Sequence, residues 1–420
     1  MTPLLTLPLR REITRALPQR PFTVQFWDGR DVGATEPDAP IFEVKRPSAL
    51  AHFLRSPDAL GLFRAYVEGS LSVNDLDAAF LVVDDWNPPE ISRGTQLRLF
   101  ASAALAAARA GIPKRPSLEL LLQGERHSMA RDAAAIHYHY DVGNEFFALF
   151  LDESMTYSCA IFSHGATTLE EAQEAKLDLV ATKLGLREGQ RVLDVGCGWG
   201  SFAIHAARNY GVEVVGITLS SAQAQLARER VADAGLSDRI EIREEDYRVL
   251  RDGPFDAIAS IGMVEHVGNA QIDHYAATLR ELVRPGGTIL NHGIAVTDPT
   301  DDPLDDDISM RYVFPDGEPL PYSRVQLAFE RAGLDVEHVE GFQSDYADTL
   351  RAWHDRLDEH LEEAERLAGA ERTRIWRLYL RAARHGFDVG YTKVYQARVR
   401  RPLARAEPGA ARRGTTRELA

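Results

Sequence analysis

The sequence RVLDVGCGWG at residues 191–200 decides the fold. It begins as an apolar strand and runs directly into a turn with glycine at positions 196, 198 and 200. Glycine has no Cβ, so such a turn can adopt positive φ and let the backbone approach a ligand closely. In a doubly wound sheet, the first strand-to-helix turn lies at the carboxyl ends of the strands, where nucleotides bind. The stretch therefore predicts a binding turn at the start of a parallel sheet.

Strands and helices alternate on the carboxyl side of this turn. Helices are predicted at SFAIHAARNY (201–210), at SAQAQLARERVADAGL (221–236) and from about residue 271. Strands are predicted at VEVVGITLS (212–220), RIEIREEDY (239–247), FDAIASIGM (255–263) and TILNHGIAV (288–296). This succession is typical of a parallel sheet covered by helices on both faces. The fold class is therefore predicted to be α/β.

The rest of the chain divides by pattern. Residues 1–112 are expected to form a small α+β domain, with a hairpin around Asp28-Gly29 and an Ala-rich helix at 101–110. Residues 113–131 are predicted to be a linker, and residues 132–400 to form the main domain, mostly helical after about residue 322. Residues 401–420 are rich in Arg, Ala and Gly and are expected to be disordered.

Composition excludes several classes of protein. The 420 residues carry a formal net charge of −15, which argues against nucleic acid as the main partner. The two cysteines, Cys159 and Cys197, are too few for a disulfide framework, and a reducing cytoplasm fits best. No apolar run is long enough to span a bilayer, and the first 20 residues lack the pattern of a secretory signal. We therefore expect a cytoplasmic protein without a membrane span.

The glycine turn resembles the S-adenosylmethionine loop of class I methyltransferases. Its D-x-G-x-G-x-G form fits neither a phosphate loop nor the G-x-G-x-x-G dinucleotide pattern. The Arg-Pro-Gly-Gly turn at 284–287, before a late strand, is also typical of that fold. The resemblance implies a Rossmann-like domain with a mixed seven-stranded sheet and S-adenosylmethionine as cofactor.

One departure concerns the ribose of the cofactor. Class I methyltransferases usually have an acidic residue at the end of the second strand, but here that strand ends with Thr218 and Leu219. Hydroxyl and backbone groups, with Gln223, are expected to serve instead, while Asp246 and Tyr247 are suited to the adenine. The expected cofactor-binding residues are Tyr157, Ser158, Asp194, Gly196, Gly198, Gly200, Thr218, Leu219, Gln223, Asp246 and Tyr247.

Further motifs resemble those of the cyclopropane-fatty-acid synthase family, which alkylates the double bond of unsaturated phospholipid acyl chains. They are HYDVGNEFF at 139–147, MTYSCA at 155–160, EHVG at 265–268 and YVFPDG at 312–317, in the family's order. The resemblance covers roughly residues 125–400 and extends more weakly over the N-terminal domain, which resembles a sterol-carrier-like lipid module. It implies an unsaturated phospholipid substrate and a location at the inner face of the membrane.

The resemblance also implies a reaction site. An alkene is a weak nucleophile, so a sulfonium must deliver the methyl group while the alkene is held close and in line. The resulting carbocation needs a dry site and a base, which in this family is a bound bicarbonate ion. The matching positions that would hold it are Cys159, Glu265, His292, Tyr346 and the backbone of Ile294. The aromatic rings expected to stabilise the cation are Tyr157, Phe162, Tyr312 and Phe314.

The product and the partners stay open at the level of sequence. Many ring-forming relatives have a cysteine followed by Phe-Arg-x-Arg in the C-terminal helical stretch, and residues 379–390 have neither. That region resembles a branch of the family in which the alkene is methylated without ring closure, which favours a methylene product over a cyclopropane ring and leaves both open. A separate reductase would convert the methylene to a methyl branch. The resemblance to the family also implies a homodimer. The alternatives are a small-molecule N-methyltransferase and a non-catalytic lipid-binding protein.

Two further features of the sequence concern metal binding and lipid binding. His137 and His139 alternate like metal ligands on a strand, but the sequence shows no third ligand for them. The acidic loop at residues 301–307 is expected to be solvated. No metal site is therefore predicted. A basic stripe near the N-terminus is interleaved with leucines and is suited to anionic lipid headgroups. It consists of Arg10, Arg11, Arg15 and Arg20.

Overall fold

The computed structural model describes residues 5–108, 110–111, 113–120, 122–296 and 308–403. The N-terminal part is an α+β unit built on a small sheet with strand order β2-β1-β3-β4. Its strands are β1 (Thr23–Phe26), β2 (Asp31–Val32), β3 (Ile41–Val44) and β4 (Leu71–Val73). Its helices are α1 (Leu7–Ala16), α2 (Ser48–Arg55), α3 (Ala59–Glu68), α4 (Leu76–Asp85) and α5 (Arg93–Ala107).

Two local predictions can be compared with this unit. The hairpin is present, because Val24 of β1 pairs antiparallel with Val32 of β2 and Gly29 turns the chain at φ +73°. The Ala-rich helix begins earlier than predicted, since the Ser92 side chain accepts a hydrogen bond from the Thr95 N–H and caps α5 there.

The main part of the chain contains a seven-stranded sheet with order β10-β11-β9-β8-β5-β6-β7. Its strands are β5 (Arg191–Val195), β6 (Glu213–Thr218), β7 (Ile240–Glu244), β8 (Phe255–Ile261), β9 (Val283–Val296), β10 (Asp335–Gly341) and β11 (Thr392–Arg400). Its helices are α6 (Met129–Tyr140), α7 (Asn144–Ala148), α8 (Leu169–Leu184), α9 (Ser201–Tyr210), α10 (Ser221–Asp233), α11 (Gly268–Leu282), α12 (Ile308–Tyr312), α13 (Tyr322–Arg331), α14 (Gln343–Glu359), α15 (Leu361–Ala368) and α16 (Ala370–Val389). A 3₁₀ turn, Val264–His266, follows β8.

Strand β5 lies at the centre of the parallel half of this sheet. It pairs in parallel with β6 and β8, and these pair in parallel with β7 and β9. Val192, Leu193 and Val195 are fully buried, as a strand covered on both faces requires. The predicted α/β fold with a mixed seven-stranded sheet is confirmed.

The C-terminal zone is mostly helical, as predicted, but it also contains two strands that the sequence did not predict. It supplies β10 and β11, which join the sheet antiparallel beside β9. The edge strand β10 reads DVEHVEG and is largely exposed, so its apolar signal is weak although the sheet includes it. The segment HYHYD is also not a strand, because His137 and His139 lie in α6, where side chains two residues apart do not share a face.

The segment predicted to be a linker is packed and bonded. The Glu119 side chain is fully buried and accepts hydrogen bonds from the Arg64 guanidinium of α3 (2.8 Å) and the Tyr312 hydroxyl of α12 (3.0 Å). Arg311 Nη1 also lies 3.2 Å from this carboxylate. The ring of Phe63 on α3 lies 4.7 Å from that of Tyr312. Residues around Glu119 therefore join the N-terminal unit to α12.

Some predictions fall on residues that the structure does not describe. The acidic loop residues Asp301, Asp302, Asp305, Asp306 and Asp307 lie outside the described ranges, as does the tail from residue 404. In the part that is described, no helix is both long and apolar enough to cross a membrane.

Replacement of Glu119 tests the buried ion pair that joins the two parts. In Glu119→Gln the charges of Arg64 and Arg311 lose their buried counter-ion, which costs about 3 kcal/mol in such sites. We expect the free energy of unfolding, measured by urea denaturation, to fall by about that amount. Glu363→Gln is the matched control, because its ion pair with Arg366 is exposed and contributes little. Equal effects of the two substitutions would contradict this role of Glu119.

Candidate active site

A cavity opens at the carboxyl ends of β5, β6, β7 and β8, where the glycine turn leaves the sheet. The residues predicted to bind a cofactor line this cavity, with the exception of Gly200. Gly200 instead occupies the N-cap of α9 with φ +82°. The predicted residues in the cavity wall are Tyr157, Ser158, Asp194, Gly196, Gly198, Thr218, Leu219, Gln223, Asp246 and Tyr247.

The glycine turn is anchored to the neighbouring strand. The N–H groups of Gly196 and Cys197 both donate to the carbonyl of Ile217 in β6, at 2.9 Å. Gly198 has φ +55° and nothing within 4 Å of the place where a Cβ would stand. Its backbone is therefore open to a ligand, which a side chain at this position would obstruct.

Asp194 and Lys176 are two of the charged residues in the cavity wall. Burial raises the pKa of Asp194 to about 7, although the positive charge of Lys176 acts to lower it. Within the described ranges, Asp194 Oδ2 has no hydrogen-bond partner. Burial lowers the pKa of Lys176 to about 8, and its Nζ donates to Ser158 Oγ at 2.9 Å. Sequence reasoning missed Lys176. Its signal was a lysine on the face of α8 that also carries the buried residues Gln173, Leu177 and Val180.

The end of β6 has hydroxyl and amide groups where an acid is usual in this fold. Thr218 Oγ1 donates to Gln223 Oε1 at 2.8 Å, and both side chains are buried. Gln223 also hydrogen-bonds Tyr140, whose pKa burial raises to about 12. Tyr140 belongs to the HYDVGNEFF segment and lines the cavity, but the sequence reasoning gave it no role.

Asp246 and Tyr247 lie beside an arginine that sequence reasoning also missed. Arg248 makes a two-point ion pair with Asp246, with Nε–Oδ1 2.9 Å and Nη2–Oδ2 2.6 Å, and Arg248 Nη2 lies 3.0 Å from Asp132. The Tyr247 ring packs edge-on against Tyr275 at 5.6 Å, and burial raises the pKa of its phenol. The carboxylate of Asp246 is thus fixed in place but already engaged by a cation.

Glu265 lies beside this cavity, in the 3₁₀ turn after β8, where the residue is half-buried and its Oε2 atom is buried. Its Oε1 accepts a hydrogen bond from the Ile294 N–H at 2.6 Å, while its Oε2 has no partner in the described part of the chain. Burial raises the pKa of Glu265 to about 7. Its sequence neighbours Met263 and His266 line the cofactor cavity, so the carboxyl lies close to the cavity wall.

The second buried group is His292 on β9. Gln396 accepts from Lys183 Nζ through Oε1 (2.7 Å), so its Nε2 faces His292 Nδ1 (3.1 Å) and donates to it. The imidazole proton then lies on Nε2, which has no partner. Burial lowers the pKa of His292 to about 3, so the ring is neutral and presents a free N–H donor.

Cys159 and Tyr346 add two uncharged groups to this region. Cys159 is fully buried, its Sγ lies 3.8 Å from the Phe342 carbonyl, and burial raises its pKa well above the usual range. Burial raises the pKa of Tyr346 similarly, and electrostatic interactions with Cys159 and Glu265 add to the effect. Tyr346 is therefore within electrostatic reach of both side chains, although it comes from α14.

The structure thus brings most of the predicted reaction-site residues into one region. Glu265 and the Ile294 N–H are bonded directly, and His292 lies two residues from Ile294 on the same face of β9. Cys159 follows the cavity residue Ser158 along the chain. The cluster contains two buried atoms without a partner, Glu265 Oε2 and His292 Nε2, which is unusual for polar atoms in a protein interior.

The four aromatic residues predicted for the cation lie in different surroundings. Phe314 stacks on His139 at 3.9 Å, and its ring is parallel to that of Tyr157 at 6.4 Å. Phe162 packs, half-buried, against the same apolar core. Tyr312 instead faces α3, where its hydroxyl is bonded to Glu119.

His139 has a structural partner in the chain. Its Nδ1 lies 2.7 Å from the carbonyl of Val313, beside Phe314. Among the described residues, no group of three or more His, Cys, Asp or Glu side chains is arranged to hold a metal ion.

Comparison with known proteins identifies relatives along most of the chain. Residues 127–397 match the family described as mycolic acid cyclopropane synthetase. A probable fatty acid methyltransferase of Mycobacterium tuberculosis is 37% identical over 395 residues, which cover 90% of each chain. The tuberculostearic acid methyltransferase of the same organism is 33% identical over 406 residues, covering 92% of this chain and 89% of the relative.

A solved structure of a mycolic acid cyclopropane synthase, complexed with SAH and CTAB, is similar in fold. It is 33% identical, with a TM-score of 0.60, and the match covers 64% of this chain and 97% of that one. Coclaurine N-methyltransferase, at 22% identity and a TM-score of 0.55, is similar in fold alone.

The raised pKa of Glu265 predicts a pH-dependent effect of Glu265→Gln on stability. The folded protein holds this proton up to about pH 7, while the unfolded carboxyl loses it near its usual value of 4.5. The wild type therefore loses stability as pH rises through this window, and a glutamine, which does not titrate, escapes the loss. We expect the variant to gain on the order of 2.5 kcal/mol relative to the wild type between about pH 5 and pH 8.

Urea unfolding of both proteins at the two pH values measures this difference. A stability difference that stays constant across this range would show that Glu265 ionises at its ordinary pKa in the folded protein.

Proposed function

Because the chain belongs to the mycolic acid cyclopropane synthetase family, we propose that it methylates the cis double bond of an unsaturated phospholipid acyl chain. Membership of the family shows an S-adenosylmethionine-dependent methyltransferase. What we propose is its substrate, the acyl double bond. The observation that carries it is the pair of partnerless polar atoms, Glu265 Oε2 and His292 Nε2, buried beside the cofactor cavity. An amine methyltransferase has no need of such a pocket for a small anion.

The cavity residues fit S-adenosylmethionine. The cofactor carries an ammonium group, and Asp194 Oδ2 is a buried acceptor without a partner in the cavity wall. Thr218 and Gln223 offer polar groups to the ribose, and Tyr247 offers a ring edge and a phenol beside Asp246 to the adenine. When bound, the cofactor supplies the methyl group from a sulfonium.

The second cluster fits a small oxyanion such as bicarbonate. Cys159, His292 and Tyr346 are uncharged and keep their protons at neutral pH, and Glu265 keeps its own for part of the time, so each can donate to an anion. Their burial removes competing water and strengthens each hydrogen bond. When bound, bicarbonate supplies the base that accepts the substrate proton. The Ile294 N–H holds Glu265 at the edge of this pocket.

The chain's own part in the reaction is to hold the alkene in a dry, aromatic enclosure. The ring faces of Tyr157 and Phe314 are suited to a developing positive charge, and Phe162 adds apolar surface to the same core. Tyr312, held by Glu119, would support this enclosure from the side of α3 rather than face the charge. Exclusion of water keeps the cation from being hydrated before a proton is lost.

The proposed product is the methylene. Addition of a methyl group to one alkene carbon leaves the cation on its neighbour. A hydride shift then moves the charge to the methyl-bearing carbon, and loss of a methyl proton forms the exocyclic double bond. A separate reductase would give the methyl branch. Relatives that match along about nine-tenths of both chains are named fatty acid methyltransferases, whereas the Escherichia coli cyclopropane-fatty-acyl-phospholipid synthase, 43% identical, matches over 52% of this chain.

A product assay tests the proposal. The purified protein is incubated with methyl-labelled cofactor and phospholipid containing oleoyl chains, and the released fatty acids are analysed by mass spectrometry before and after hydrogenation. We expect a gain of one CH₂ that hydrogenation converts to a branched chain. A gain that resists hydrogenation would indicate the ring, and label found only in an added amine would contradict acyl methylation.

Glu265→Gln should reduce turnover by roughly a hundredfold or more, because the side chain can no longer switch between acceptor and donor. Binding of the cofactor, measured by calorimetry, should be unchanged. Glu330→Gln, an exposed position on α13, is the matched control and should keep full activity. If Glu265→Gln were as active as this control, Glu265 would have no role in the reaction.

Asp194→Asn tests the proposed ammonium contact. Loss of a charge-assisted hydrogen bond costs about 1.5–3 kcal/mol, so the Kd for S-adenosylmethionine should rise roughly ten- to a hundredfold. Asp256→Asn is the control, because Asp256 lies at the amino end of β8 and bonds Arg191 and Arg284 there. Equal affinities of the two variants would contradict the contact.

A further inference from the structure

Helix α5 is apolar on both of its faces, although only one of them is covered. Leu99, Ala103 and Ala106 pack into the core of the N-terminal unit. On the opposite side, Leu97 is 71% exposed, Leu105 52% and Phe100 41%. A helix that is apolar all round is normally buried on all sides. Among the residues that the structure describes, the outer side of α5 therefore lacks the partner that its composition predicts.

The exposed residues form one continuous surface. Each member has another three or four positions away, which places them all on one side of an α-helix. We call this surface the α5 apolar face, and it consists of Leu97, Phe100, Ala101, Ala104 and Leu105.

The charge around the α5 apolar face is opposite to that of the whole chain. Between Glu90 and Glu119 the sequence has five basic residues and no acidic one, in a protein with net charge −15. Helix α1 packs on α5 and adds the exposed Arg11 and Arg15. The five basic residues are Arg93, Arg98, Arg109, Lys114 and Arg115, of which Arg109 lies outside the described residues.

We propose that the α5 apolar face docks on the surface of an anionic phospholipid bilayer. An exposed apolar stripe with a basic rim is the composition of helices that lie in a membrane interface. Each basic residue near an anionic surface adds to the attraction, which is confined to about a Debye length. The inference rests on the proposed function, because an enzyme that methylates phospholipid acyl chains must reach them at a bilayer.

A second copy of the chain fits this face less well. In a symmetric dimer the same patch meets itself, so the basic rim of one copy would face the basic rim of the other. Glu12 of α1, which lies beside α5, is already paired with Arg15 and Arg98. A bilayer that contains anionic headgroups supplies the missing negative charge.

The docking face is joined to the proposed reaction site through the N-terminal unit. Helix α5 packs on α2, and α2 packs on α3. Helix α3 in turn places Phe63 on Tyr312, two residues before Phe314. A membrane-bound α5 would therefore hold the aromatic enclosure at a fixed height above the lipid.

Vesicle binding tests the proposal without any methylation. The full chain is sedimented with vesicles of saturated phosphatidylglycerol or of saturated phosphatidylcholine, which contain no double bond. We expect at least tenfold tighter binding to the phosphatidylglycerol vesicles. The double variant Leu97→Glu, Leu105→Glu should lose this binding by roughly a hundredfold, since it loses apolar contact and adds two negative charges. Arg93→Gln with Lys114→Gln should weaken it by about tenfold or more.

Leu327→Glu is the matched control. Leu327 is 40% exposed on α13, away from the N-terminal unit, so the same substitution there should leave vesicle binding unchanged. Equal binding of the wild type and the Leu97, Leu105 double variant would overturn the proposal. So would a concentration-dependent dimer that the double variant abolishes, found together with no binding to vesicles.

Activity measurements separate this proposal from the proposed function. The double variant should methylate unsaturated phospholipid dispersed in detergent at the wild-type rate, and lose activity only on vesicles. Loss of activity on both substrates in the double variant would contradict a role confined to docking. If the wild type binds anionic vesicles but methylates neither substrate, the docking proposal stands and the proposed function fails.

Discussion

The proposed reaction site depends on the burial of polar groups whose hydrogen bonds the described part of the chain does not complete. Placing a carboxyl such as Glu265 in a water-free interior is costly when it is charged, so burial holds part of the population in the protonated form. The same constraint keeps His292 neutral and gives it a free N–H donor. A fold tolerates such orphaned groups where a ligand completes them, and the cluster beside the cofactor cavity has this character.

The architecture explains how these groups meet. The long strands β9 and β11 pair along the whole of β11, so Gln396 lies opposite His292 and fixes its tautomer. Helix α14 follows the edge strand β10 and brings Tyr346 to the same region. The N-terminal unit is joined to this assembly through Glu119, which ties α3 to α12. The site is therefore built from elements distant in sequence, and the exclusion of water from it depends on how these elements pack.

The sequence predicted what is encoded locally. The glycine turn follows from residues 191–200, and the parallel strands from continuous apolar runs between helices. It could not predict β10, whose exposed edge position leaves no apolar period, or the packing of Glu119, which depends on Arg64 far along the chain. Lys176 was missed for a related reason, because its role arises only when α8 packs beside Asp194. The resemblance to a family supplied Cys159 and the other reaction-site residues, and composition alone would not have found them.

The most direct measurement is infrared difference spectroscopy of the carboxyl C=O stretch, comparing the wild type with Glu265→Gln as pH is varied. The account predicts a band of a protonated carboxyl that the variant lacks and that disappears as pH rises through about 7. It further predicts that added bicarbonate shifts this band in the wild type. A difference band that is already lost by about pH 5, or that bicarbonate leaves unmoved, would contradict the central claim that Glu265 is a buried, protonatable donor to a small anion.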